Sequence, residues 1–593
     1  VLKRKGRNLP RLAAVAIAWL LVIYVLLRLP AMPAGARFGG VAAAWVSAIL
    51  LYAGAFVQAR SESAARRRQA RGSPKWMELL LLGLVVLGAL LARLWRIGDI
   101  PFTLAGDEGS QGLEALRVIG GSLRNPFSVG WLSVPTMSFF FNSLSLRLLG
   151  RTIVGLRLPW AIVGTAGVLV AYVLVRRLRG PRVALASAAM LAAYHYHIHF
   201  SRLGSVQIAD PLLAGLAMLF LDRGLTRRAP LDWALLGIVS GLAFYFYAGA
   251  RLVPVIVLVI LGYHLLYHRG TFLKQHGLHV LIALGAFLIA ASPMLQFAIR
   301  QPGLFNARLN QVGILQSGWL EREVEILGLS KTQILFDQFV RAALAFNFFP
   351  DRTVWYGLRQ PLLDPVFGSL FLLGLGYATV RALIPGGQRR LFPMVAWWWG
   401  GMLLGGMMTE SPPSSMRLVT LAVPTVFFVV IGIRQLLLLA RKAFEGIPVT
   451  LLQAAGALLF AFVSLKTYFV DFTPQRLYGG QRAEMATEMA PFLNELKDGN
   501  HFYFVGPPWM YWGFATIPYM VPDAQGVDIM EQIAAPPTYL SLPETGGVVF
   551  IFVPERAEEL GWVMEAFPGG EVHEFHRSAD GRLLGALYRV PAQ

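Results

Sequence analysis

The chain has 593 residues, 56% of them hydrophobic and only 15% charged, with a mean hydropathy of +0.56 and a formal net charge of +20. About a quarter of the residues of a soluble globular protein are charged, so this composition excludes one and describes a polytopic membrane protein. Cysteine is absent, which excludes disulfides and thiolate metal sites, and nucleic acid is a poor match because the Lys and Arg sit in short loops between apolar runs, not in basic arms.

A membrane crossing needs roughly 20 apolar residues. In chain order the candidates are 11–29, 40–58, 77–95, 156–175, 182–199, 208–222, 231–248, 251–268, 277–297, 361–382, 392–408, 417–437 and 449–468. The first run has no small-residue cleavage site and reads as a retained span. About thirteen helices are therefore expected. Lys3, Arg4, Lys5 and Arg7 precede the first span, and "ARSESAARRRQARGSPK" follows the second. The later basic loops lie at 176–182, 222–228, 268–276, 381–390 and 434–442. With the spans alternating, all of these fall on one side, which the positive-inside rule makes cytoplasmic. The N-terminus is then cytoplasmic, and the membrane is the plasma membrane.

The segment 131–150, "WLSVPTMSFFFNSLSLRLLG", is apolar enough to be weighed as a span. Counting it would move "RRLRGPR" outside, so 97–150 reads as one outer loop with two interfacial helices. That loop contains "GDEGSQGLEALRVIGG", which places Asp107 and Glu108 side by side in an acid-poor chain. The stretch reads as a helix start, with Gly106 and Asp107 near the N-cap and Gly120–Gly121 as the stop. Helix capping alone would explain Asp107.

Further along, "YHYHIHFSRLGSVQIADP" ends on the same outer side with Arg202 and Asp210. His195 and His199 are spaced for a shared zinc ion, but no third ligand accompanies them, and a structural role fits better. The next outer turn, "FYFYAGARLVP", carries Tyr245, Tyr247 and Arg251. An interfacial aromatic belt explains the tyrosines but not the arginine. "MTESPPSSMR" adds Glu410 and Arg417. Arginines here run against the topological bias and are candidates for function. Arginine forks recognise phosphate, and carboxylates act as bases or hold a divalent cation. Asp107, Glu108 and Asp210 are the residues that could take either role.

The outer loop 298–360 has helical periodicity and reads as an ordered cover over this face. Residues 471–593 regain acidic residues, Pro and Gly. "HFYFVGPP", "GGVVFIFVP" and "LLGALYRV" read as strands, with helices in "QRAEMATEMAPFLNELKDG" and "RAEELGWVMEAFPGG". This is an extracytoplasmic α/β domain with an accessory role. The expected organisation is two extra spans in 1–60, a transferase membrane domain in 61–470 and the accessory domain in 471–593.

Several segments together resemble the C-type, polyprenyl-phosphate-dependent glycosyltransferases, the protein O-mannosyltransferase and aminoarabinose-transferase group in particular. They are "GDEG", "VPTMSFFFNSLSLRLLGRTIVGLRLP", "FSRLGSVQIADPLL" and "YFYAGARLVP". The likeness covers residues 77 to 270 and thins towards 437; it does not reach the first two spans or the tail. It implies a GT-C-like fold, Asp107 as the catalytic acidic position with Glu108 as its partner, and Asp210 as the second acidic position. Arg202, Tyr245, Tyr247, Arg251, Glu410 and Arg417 would bind substrate. The mannosyltransferases have His-Pro-Pro where this chain has Val134–Pro135–Thr136, a departure that bears on the acceptor.

The expected function is transfer of a sugar from a polyprenyl-phosphate donor to an extracytoplasmic glycan, lipid or protein, with inversion. A divalent cation is the one cofactor the carboxylates would suit. The rivals are a lipid-linked-sugar flippase, whose charges would lie at mid-bilayer, and a non-catalytic membrane binding protein.

Overall fold

The computed structural model describes residues 9–33, 35–57, 75–267, 269–537 and 546–591. The basic segments at 1–8 and 58–74 lie outside them, as does His268 of the loop 268–276. Five described helices open the chain. They are α1 (Leu9–Arg28), α2 (Gly39–Ala55), α3 (Trp76–Leu94), α4 (Gly106–Ile119) and α5 (Met137–Leu149). The body of the bundle follows as α6 (Ile153–Arg179), α7 (Pro181–Ala193), α8 (His195–Ser201), α9 (Ala209–Arg227), α10 (Pro230–Leu242), α11 (Leu252–Tyr267) and α12 (Arg269–Arg300). The loop 298–360 contributes α13 (Pro302–Val312), α14 (Trp319–Leu327) and α15 (Lys331–Ala343). The membrane part closes with α16 (Pro365–Leu383), α17 (Phe392–Gly401), α18 (Ala422–Ala443) and α19 (Val449–Lys466).

The thirteen apolar runs are largely helical, but not each is one helix: the run 182–199 is divided at Tyr194 between α7 and α8. Among the described residues, eight helices are long and apolar enough to cross a membrane, and three shorter ones are apolar. The chain is a multi-pass membrane protein. Large apolar side chains on α1, α3 and α11, such as Leu27, Leu84 and Leu258, face outward. Water would penalise such a surface, and lipid does not. The stretch containing α18 is almost wholly buried and forms the centre of the bundle. Glycines let the central helices close in: a Cβ on Gly374 of α16 or Gly432 of α18 would strike backbone of the other helix.

Helix α6 illustrates how local sequence sets these elements. Thr152 caps it by accepting the Gly155 N–H at 2.9 Å. Arg176, Arg177 and Arg179 occupy its last turn, where the helix dipole favours cations. Gly180, at φ 85°, ends it, and Pro181 starts α7.

The tail begins with α20 (Gly480–Leu496) and contains α21 (Thr516–Met520) and α22 (Leu560–Ala566). Its sheet has strands β1 (Asn500–Val505), β2 (Gly526–Asp528), β3 (Gly547–Phe552), β4 (Glu571–His576) and β5 (Leu583–Val590), in the order β2-β1-β3-β5-β4. The pairs β1–β2 and β1–β3 are parallel, while β3–β5 and β4–β5 are antiparallel. Central β3 is buried along its whole length, as a strand covered on both faces must be. Strands β2 and β4 escape a sequence reading because one is three residues long and the other is mostly exposed and polar.

The sheet domain is bound tightly to the membrane part. Gly106, Gly109 and Gly112 recur every three residues on one face of α4. A Cβ on Gly106 would come within 2.9 Å of the Phe514 ring, and one on Gly109 within 2.6 Å of the Ala515 carbonyl oxygen. One on Gly112 would overlap the Tyr519 ring. The Thr516 hydroxyl donates to the Leu104 carbonyl at 2.9 Å, and Arg151 Nε to the Tyr519 carbonyl at 2.8 Å. The glycines of "GDEGSQG" are thus the surface on which the tail seats α4.

Candidate functional site

Ala105 stands at the N-cap of α4 and provides no side-chain cap, and Asp107 lies in the first turn, so it does not cap the helix as the sequence allowed. Its carboxyl is half-buried. Burial pushes its pKa up to about 6; the positive charge of Arg308 pulls it down, and Glu108 raises it further.

Glu108 points into protein. Its Oε1 accepts Arg157 Nε at 2.9 Å and the Gly204 N–H at 2.5 Å. Its Oε2 accepts Arg157 Nη2 at 3.0 Å and the Tyr478 hydroxyl at 2.9 Å. Burial, followed by the nearby Glu108 charge, holds that hydroxyl protonated, so it donates. The remaining Arg157 protons reach the carbonyls of Pro101 at 2.7 Å and Thr103 at 2.9 Å. Both carboxylate oxygens are therefore occupied, and the residue ties α4, α6, the turn before α9 and the tail together.

Arg202 also departs from its expected place. It donates to the carbonyls of Ala92 at 2.8 Å, Trp95 at 2.6 Å and Ile100 at 2.9 Å, closing the C-terminal end of α3. These bonds take up the donors a phosphate would need. Tyr245 is likewise structural: it is buried, donates to the Ala290 carbonyl at 3.0 Å and packs on Trp45. His195 meets the Tyr356 hydroxyl and His199 the Trp355 carbonyl, so the two rings do not share a ligand.

The other candidates surround Tyr247. This tyrosine is half-buried, and its hydroxyl is acted on by the charges of Arg417, Arg308, Asp210 and Asp107. Four charged groups from four separate segments therefore act on one phenol. Asp210 stands in the first turn of α9, buried, with Oδ1 lacking a hydrogen-bond partner among the described residues. The 248–251 turn presses so closely that a Cβ on Gly249 would collide with its carboxylate. Arg251 lies 3.9 Å above the Phe305 ring, and its Nε is also unpartnered. Arg417 Nη1 donates to the Glu410 carbonyl at 2.6 Å, and the Glu410 carboxylate is 3.9 Å from Arg417 Nη2. Phe305 and Arg308 both belong to α13, so the loop 298–360 supplies residues to this cluster.

Arg308, Arg157 and Tyr478 go unnoticed in a reading of the sequence. Arg308 carried the usable signal: it too is an arginine in a loop that the sequence reading assigns to the same side as Asp107. No group of three or more His, Asp or Glu among the described residues could hold a metal ion. With Glu108 fully engaged, Asp107, Glu108 and Asp210 do not fit a resident cation, and no step is assigned to one.

A multi-pass bundle with an acidic helix on its first large loop, basic side chains around it and a small terminal sheet domain has the fold of the C-type glycosyltransferases. Residues 133–297 match the family described as dolichyl-phosphate-mannose-protein mannosyltransferase. The undecaprenyl phosphate-alpha-4-amino-4-deoxy-L-arabinose arabinosyl transferase of Pseudomonas paraeruginosa is 31% identical over 176 residues, 28% of this chain and 32% of that protein. The Pseudomonas aeruginosa protein of the same description is 31% identical over 180 residues, 29% of this chain and 32% of its own. The matched part thus spans about a third of the curated relatives. The crystal structure of ArnT from Cupriavidus metallidurans bound to undecaprenyl phosphate superposes with a TM-score of 0.50 at 14% identity, over 87% of this chain and 98% of that one. That likeness extends to the fold.

Proposed function

We propose that the protein is an integral-membrane glycosyltransferase that moves a sugar from a polyprenyl-phosphate donor to an acceptor on the extracytoplasmic side of the plasma membrane. The observation that carries this reading is that Asp107, Asp210, Arg308 and Arg417, from four separate segments, all act electrostatically on Tyr247, with Gly249 two residues on pressed against the Asp210 carboxylate. A carboxyl with a pKa near 6 stands there under the charge of Arg308, and Arg251, which acts on Asp210, has an Nε with no hydrogen-bond partner among the described residues. The relatives, described as arabinosyl transferases using undecaprenyl phosphate, support the donor class.

In the reaction the acceptor hydroxyl gives its proton to Asp107 as its oxygen bonds to the anomeric carbon. The bond from that carbon to the phosphate oxygen breaks, and polyprenyl phosphate leaves. A single displacement inverts the anomeric centre. Arg251, Arg308 and Arg417 neutralise charge that grows on the phosphate during the transfer, the kind of interaction that lowers a barrier most. Tyr247 and Asp210 orient the arginines and the sugar. Glu108, through Arg157, fixes the helix that presents Asp107.

The N-terminus is cytoplasmic on this reading, and the tail, which seats α4, is outside. Val134–Pro135–Thr136 in place of His-Pro-Pro favours a glycan or lipid acceptor over protein. The charges gather at one end of the helices, which weighs against a carrier. Purified protein incubated with a panel of radiolabelled polyprenyl-phosphate sugars should transfer or hydrolyse at least one. Failure with every donor, by protein that still binds polyprenyl phosphate, would reject transfer.

A further inference from the structure

The end of the bundle opposite Asp107 holds a cavity of about 380 Å³. Helix α6 spans the interval: Arg157 meets Glu108 at one end, and Leu178 lines the cavity at the other, about 30 Å away at 1.5 Å per residue. Three arginines, Arg228, Arg389 and Arg390, line it beside the polar His264 and His276. Its one acid, Asp222, already accepts Arg177 Nε at 2.6 Å. Arg228 is steadied by Gln275 at 2.7 Å, and Arg389 lies 4.8 Å over the Tyr267 ring. Arg390 is exposed and has no hydrogen bond or ion pair among the described residues.

His276 is the second, independent sign of a ligand. It is 6% exposed and lines the cavity, yet its Nδ1 has no partner among the described residues. A buried nitrogen left unsatisfied costs roughly 1–3 kcal/mol, and an anionic oxygen in the cavity would meet it. The remaining wall is apolar, from Leu178, Leu225 and Phe272. A free phosphate would leave that wall uncovered. A headgroup with acyl chains beside it would use both surfaces.

We infer that this cavity binds the phosphate headgroup of an anionic phospholipid, drawn from the leaflet opposite the Asp107 face. Basic pockets between membrane helices take such headgroups, at about 1 kcal/mol per basic side chain near the surface. The bound lipid would tie the ends of α9, α11 and α12 to the segment before α17.

The full chain in nanodiscs of equimolar phosphatidylglycerol and phosphatidylcholine provides the test, with retained lipids counted by native mass spectrometry. Phosphatidylglycerol should be retained preferentially. Arg228→Gln with Arg390→Gln should lower that preference by roughly fivefold for each arginine, the factor corresponding to about 1 kcal/mol. Arg390→Gln alone breaks no contact and keeps the test open should the double variant misfold. Equal retention of the two lipids by the unaltered protein, or an unchanged preference in the single variant, overturns the inference. Displacement of phosphatidylglycerol by inorganic phosphate would mark a site for a soluble anion and overturn it too. No sugar donor enters the experiment, so its outcome is independent of the transferase reading.

Discussion

On one turn of α4, Glu108 receives both forks of Arg157, the Tyr478 hydroxyl and a backbone N–H, whereas Asp107 is left half-open with only the charge of Arg308 to oppose its burial. The arginines divide in the same way. Arg157 and Arg202 are turned onto carboxylate and carbonyl oxygens of their own chain. Arg251 acts on Asp210 and Arg417 on Tyr247; Arg251 Nε has no partner among the described residues, and the Arg417 Nη2 contact with Glu410 is a loose 3.9 Å. The saturated groups hold the scaffold at fixed geometry, and the unsaturated ones can change partners when a substrate arrives. Charge and position at this face do not separate the two sets; saturation of hydrogen bonds does.

The sharpest way to break this contrast is Asp107→Asn. If Asp107 is the base, transfer should fall by roughly 10²- to 10⁴-fold with the fold intact. Transfer assays beside a thermal midpoint would show both. An Asp107→Asn protein that keeps most of its rate would move Asp107 to the structural set.

Glu108→Gln should do the reverse. Breaking one side of a buried ion pair costs about 3–5 kcal/mol, so the thermal midpoint should drop markedly. Replacing Arg157 by Met in the same chain removes the stranded guanidinium and should restore part of the loss. A Glu108→Gln protein of normal stability but no activity would place Glu108 with Asp107 instead.

Among the arginines, Arg251→Gln and Arg417→Gln should weaken donor binding by about tenfold or more each, since hydrogen bonds to charged groups are worth roughly 1.5–3 kcal/mol. Arg202→Gln should lower stability and leave donor affinity unchanged. Titration with a polyprenyl phosphate reads this directly. Equal losses from Arg202 and Arg251 would erase the distinction.

How much of this can be read from sequence depends on the range of the interaction. The apolar runs are legible because a crossing helix needs only local composition. The strands β1, β3 and β5 are legible because their runs are short, β-branched or aromatic and bounded by turn residues. The fate of a charged side chain is set by partners far along the chain. Glu108 meets Arg157 at a separation of 49 residues and Tyr478 at 370, and Arg202 reaches α3 across 110. The helix start in "GDEGSQG" is legible, but the reason for its glycines is visible only with Phe514, Ala515 and Tyr519 of the tail against them. Arg308 is visible as an outer-side arginine, but only the placement of α13 brings it to Asp107.

The smallest effect expected is also the most specific to Asp107. Its carboxyl moves from the ordinary 3.8 to about 6 on folding, chiefly by burial. Between those values the folded protein holds a proton that the unfolded chain has released, so this residue's contribution to stability declines as pH rises from 3.8 to 6 and stays at its lower value above. Asp107→Asn removes that slope and should be at least as stable as the unaltered protein at neutral pH. The base form exists only above the folded pKa. Log kcat/KM for transfer should therefore rise with unit slope up to about pH 6 and level off beyond it. Arg308→Gln removes the charge that holds the value down, so its inflection should move to higher pH, while Arg202→Gln should leave it in place. An inflection near 4, or one that ignores Arg308, would assign the titration to another group and separate Asp107 from the chemistry.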